Sequence, residues 1–148
     1  MLRVARWLAP ALLGLAVIGS PARTAEAKNK AKVEWSKIEV PEGEEAAKLG
    51  KALKTALEQA AKHANFGKAP SVTLSARITA FTTEQHGDVL RVSCTAVGRV
   101  AGGQSARSKI SFGGSPGSRA ELEKQVLTMV ANGLVARLAQ IARAQDAK

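Results

Sequence analysis

Cysteine is almost absent: Cys94 stands alone in 148 residues. That excludes an intramolecular disulfide, and with it the stapled class of small secreted domains. No histidine or acid stands close to Cys94 in sequence, so it reads as a small buried apolar residue, not as an activated thiol. Histidine is nearly as scarce. His63 falls near the end of an expected helix and His86 in an expected turn. Each reads as a solvated surface group, because a metal or catalytic site needs several such groups to converge. The sequence also lacks GxSxG, HExxH, paired cysteines and both glycine-rich nucleotide patterns. No catalytic residue, metal site or cofactor can be named from it. Long apolar runs are missing too. Trp7 to Ile18 makes twelve residues, well short of the roughly 20 that a spanning helix needs.

Acids are outnumbered: 12 against 22 lysines and arginines, for a formal charge of +10. The basic start at Arg3 and Arg6, the apolar run and the small-residue Ala25-x-Ala27 form the layout of a secretory signal peptide over residues 1–27. Cleavage after Ala22 is the other option. Removing 1–27 takes away Arg3, Arg6, Arg23 and Glu26, which leaves +8. A basic exported domain favours anionic partners: lipid head groups, an acidic polymer or another protein. Nucleic acid fits the charge but not the address. After cleavage no membrane span remains. About 120 residues are left, enough for one modest core.

Residues 28–32 read as a disordered basic N-terminus, and 33–144 as one domain. Val33 to Val40 is a short strand whose apolar residues change parity, which a bulge near Ser36-Lys37 would reconcile. Trp35 reads as core or edge cover. A helix follows from Glu44 to about Ala64, with Leu49, Leu53, Leu57 and Ala60 on one stripe and Glu44 and Glu45 in its first turn.

From Ser71 to Phe112 the pattern alternates with period two, the mark of half-buried strands. Three-residue turns at Gln85-His86-Gly87 and Gly102-Gly103-Gln104 would set Ile78 opposite Cys94, Ala80 opposite Val92, Val100 opposite Ala106 and Ala96 opposite Ile110. After Gly113-Gly114-Ser115-Pro116-Gly117, Ser118 and Glu121 have capping-box spacing and start a second helix that runs to about Ala144. Met129 belongs to its apolar stripe, and Gly133 marks a close approach. Residues 145–148 are expected to fray. The fold class is α+β: strand, helix, three-stranded antiparallel meander, helix, with both helices on one face of the sheet.

In this order of elements the chain resembles small periplasmic domains known from the N-terminal domain of TolB, the curli secretion lipoprotein CsgG and the penicillin-binding-protein activator LpoB. The resemblance covers roughly residues 33–142 and carries over no individual residue. It implies a non-enzymatic binding or scaffold role in the cell envelope.

The uncovered sheet face is the candidate site. The alternation puts Arg77, Arg91, Arg99, Arg107 and Lys109 on it among serines and threonines, with Phe81 beside Arg91. Arg99 is expected directly opposite Arg107, a repulsion that an anion or acidic partner would relieve. Two alternatives stand beside this reading. One is an enzyme or enzyme accessory with a site at the loop 113–118, using Ser115 or Ser118. The other is a structural homo-oligomer joined through a strand edge.

Overall fold

The computed structural model describes residues 31–148. The expected signal peptide lies outside them, as do residues 28–30 of the basic segment. The elements are β1 (Lys32–Glu39), α1 (Ala46–Lys62), β2 (Ser71–His86), β3 (Val89–Val100), β4 (Ser105–Gly114), a 3-10 turn (Pro116–Ser118) and α2 (Arg119–Asp146). They form a mixed sheet of order β1-β2-β3-β4, with β1 parallel to β2 and the rest antiparallel. α2 lies over β3 and β4, and α1 packs against α2. This is the expected α+β arrangement, and it places β1 at an edge.

The β1 bulge falls where the parity change put it, with Ser36 unpaired between Trp35 and Lys37. Val33, Trp35 and Ile38 then all pair with buried residues of β2. Ser36 Oγ donates to Leu74 O at 3.2 Å, which gives the displaced hydroxyl a partner.

The β2–β3 register differs from the expected one. The turn has two residues, Gly87 and Asp88, and His86 pairs with Val89. Gly87 takes the positive φ, 61°, that such a tight turn requires. This pairing sets Phe81 opposite Cys94 and Thr83 opposite Val92. A second bulge, at Thr79, then restores the pattern, so that Ile78 meets Ala96 and Leu74 meets Val100. Turn and bulge compensate each other: the short turn shifts parity and the extra residue shifts it back.

The β3–β4 register is displaced by two residues. Gly98 faces Ala106, Ala96 faces Ser108 and Cys94 faces Ile110. A displacement of two keeps every side chain on its own face, so alternation cannot detect it. The longer turn that causes it is closed by Gly103 N donating to Val100 O at 2.9 Å. The new register places Gly98 beneath α2, where a Cβ would come within 2.9 Å of Leu138 Cδ1. A Cβ on Gly133 of α2 would likewise come within 2.9 Å of Ser108 Oγ, the expected close approach. The core is made by Leu53 and Leu57 of α1, Val126, Val130, Leu134 and Leu138 of α2, and Leu74, Val92 and Cys94 of the sheet.

The helix ends differ in detail. α1 begins at Ala46, so Glu44 and Glu45 precede its first turn. Ser118 makes no side-chain cap hydrogen bond, and the capping box does not form. Instead the 3-10 turn leads the chain into α2, with Ser118 N bonded to Ser115 O at 3.0 Å. α2 continues to Asp146, past the expected end. The Asp146 carboxylate accepts Lys68 N at 2.8 Å and Ala69 N at 3.3 Å, and Arg143 donates to Asn65 O. Met129 is more exposed than its place in the stripe suggests, at 37%.

A candidate anion-binding sheet face

The described residues leave the side of the sheet away from the helices open. Its chemistry divides by strand. β1 contributes Lys32, Glu34, Lys37 and Glu39, which pair along the strand: Lys32 with Glu34 at 3.2 Å and Lys37 with Glu39 at 2.6 Å. The hydrogen bond from Lys37 holds the Glu39 carboxyl below its usual range, and the charges of Lys37 and Arg77 add to this. The β1 edge therefore neutralises itself.

β3 and β4 present no carboxylate on this face. Arg77, Val97 and Arg107 stand in one cross-strand row, and Arg99 stands in the next, between Ser75 and Ser105. Lys109 is two residues along β4 from Arg107 and pairs with Thr95. From sheet spacings, Arg77 and Arg107 have backbones roughly 10 Å apart, and Arg99 lies roughly 8 Å from each. Arg99 is not directly opposite Arg107, as expected from the shorter turn; its partner is Ser105. The repulsion is thus diagonal and shared among several groups. All four cations are exposed; Arg77 faces Glu39 across the β1–β2 pair and its charge acts on that carboxylate, whereas Arg99, Arg107 and Lys109 form no ion pair among the described residues. Arg99 Nε donates to Gly103 O at 3.2 Å, which ties its side chain to the turn.

Two expected members do not join this group. Arg91 faces Glu84 at the hairpin end, roughly 20 Å along β3 from Val97. Phe81 lies on the opposite side of the sheet, because the Thr79 bulge moves it to the helix side. There it lines a cleft of about 270 Å³ with Pro41, Leu49, Ala52 and Leu127. At the rim Glu123 accepts Arg119 Nε at 3.0 Å and Thr83 Oγ1 at 3.3 Å. The Glu123 hydrogen bond raises the Arg119 guanidinium above its usual value. The signal for Phe81 was the two-residue spacing of Gly87 and Asp88, which has meaning only together with the bulge.

Ser115 and Ser118 are exposed before α2. His86 Nε2 lies 3.3 Å from Glu84 Oε2 in the hairpin, while His63 closes α1. Among the described residues no three metal-ligating side chains converge, and no helix is long and apolar enough to cross a membrane. Cys94 is fully buried, and desolvation pushes its thiol up to about 11.

No family model matches the sequence, and none of the curated proteins matches it significantly. Among solved structures, the chain is similar to a Caulobacter crescentus protein taken to be a lipoprotein, at 13% identity and TM-score 0.45, covering 78% of this chain and 90% of the other. A hypothetical protein from Chlamydia trachomatis also shares 13% identity, with TM-score 0.47 over 78% of this chain and 99% of that one. The PelC dodecamer from Paraburkholderia phytofirmans shares 12% identity, with TM-score 0.40 over 74% and 93%. At these identities and TM-scores, the likeness assigns no partner and no activity to this chain.

Proposed function

We propose that this chain is an exported, non-enzymatic cell-envelope domain that engages an anionic partner through the open face of its sheet. The observation that carries the reading is the group Arg99, Arg107 and Lys109: three exposed cations on β3 and β4 that form no ion pair among the described residues, with Arg77 beside them facing Glu39 of β1. Like charges held this close on a sheet cost stability in the free protein, and an anionic partner recovers that cost. The basic, apolar and small segments of residues 1–27 support export.

The test is retention of the chain from Lys28 onward on heparin and on anionic vesicles as salt is raised. Strong retention at low salt is expected, lost by about 0.5 M as screening shortens and abolished in Arg99→Glu/Arg107→Glu. Retention unchanged by that double substitution would sink the proposal. A strand-edge homo-oligomer has less support. Arg137 donates to Arg107 O on the β4 edge, and β1 is bulged at Ser36. Both devices blunt an edge against pairing.

A further inference from the structure

We infer that the anionic partner of this face is an acidic polysaccharide: a flexible linear chain, free of aromatic groups, laid obliquely across β2, β3 and β4. The inference rests on the binding reading above and narrows it. Three observations carry it.

First, among the described residues the open face has no aromatic side chain. Trp35, Phe81 and Phe112 pair with Leu74, Cys94 and Val92, all buried on the helix side, and Phe66 is itself buried. Single-stranded nucleic acid is held largely by bases stacking on aromatic rings, and protein interfaces by buried aromatic or arginine anchors in pockets. This face offers no aromatic platform, the hollow beside Arg77 is lined by Glu39 and Glu42, and half-buried Val97 stands between Arg77 and Arg107.

Second, the cations alternate with hydroxyls. Arg99 stands between Ser75 and Ser105, whereas Thr95 beside Lys109 is buried and adds no open hydroxyl. Ser93 and Ser111 bond to each other at 2.8 Å across the same face. Guanidinium forks suit carboxylates, and hydroxyls, which both donate and accept, suit the sugar groups between them.

Third, neighbouring strands in a sheet rotate by roughly 20–25° each. A flat bilayer meets only part of such a surface, whereas a flexible chain follows the twist. Charges spaced at roughly 7–8 Å along it meet Arg99, Arg107 and Lys109 in turn, with Arg77, which Glu39 faces, at the end of the track.

The experiment is calorimetric titration of the chain from Lys28 onward with polygalacturonate, fully methyl-esterified polygalacturonate, phosphatidylglycerol vesicles and single-stranded DNA. Expected are binding of polygalacturonate, none of its neutral ester, and at least a tenfold loss in Arg99→Gln/Arg107→Gln, with Arg91→Gln unchanged. Circular dichroism melts show that each variant is folded, and Lys109→Gln gives a second, milder variant of the cluster. Binding to vesicles or DNA without polygalacturonate overturns this inference and leaves the anion-binding reading standing. No binding to any of the four overturns both. An equal loss in Arg91→Gln overturns the assignment to the cluster.

Discussion

At the scale of single residues, Phe81 and Cys94 show what the surroundings do to a side chain. Phe81 belongs to an alternating strand, yet it meets the helices because one unpaired residue precedes it. The consequence is measurable. Phe81→Ala is expected to destabilise the domain by about 2 kcal/mol, the loss for a half-buried ring that leaves a partial cavity. Urea unfolding checks this, and a loss near zero would return Phe81 to the open face. Cys94 makes a pH prediction. Its thiol is raised from 9.0 to about 11 in the folded chain. The unfolded thiol therefore ionises first as pH rises. The thiol's contribution to stability is complete below about 9 and is lost between about 9 and 11. The melting temperature should fall across that window more steeply than in Cys94→Ala. At neutral pH, Cys94 should resist alkylation until denaturant is added.

At the scale of elements, the least expected feature is how α2 ends. The polar residues 145–148 read as fraying, but Asp146 supplies the acceptor for two backbone N–H groups of the α1–β2 connection. Asp146→Ala should therefore speed hydrogen exchange at Lys68 and Ala69, and lower stability by roughly 1 kcal/mol, the usual net worth of such bonds. Unchanged exchange at both amides would refute the tie. The start of α2 runs the other way. Ser118 and Glu121 have the spacing of a capping box, yet the 3-10 turn from Pro116 already leads into the helix and the box stays open. Spacing alone shows which groups can bond; the approach of the chain decides whether they do.

At the scale of the whole molecule, one face holds the apolar core under two helices and the other carries a patch of positive charge at Arg99, Arg107 and Lys109 with no carboxylate opposite it on β3 or β4. That asymmetry predicts a stability that depends on salt. The melting temperature of the free protein should rise by roughly 2–4 °C between low and 0.3 M salt as the repulsion is screened. In Arg99→Gln/Arg107→Gln the rise should shrink. A melting temperature indifferent to salt would mean that the cations do not sense one another. The order of elements, the inward side of most strand positions and the β1 bulge were all legible in the sequence. They follow from periodicity, which is local and survives a displacement of two residues. The strand registers were not legible, nor were the turn of Phe81 to the helices, the offset of Arg99 from Arg107 and the anchoring of Asp146. Each depends on how many residues a turn consumes or which distant segments meet, and those are settled only when strands pair and helices pack.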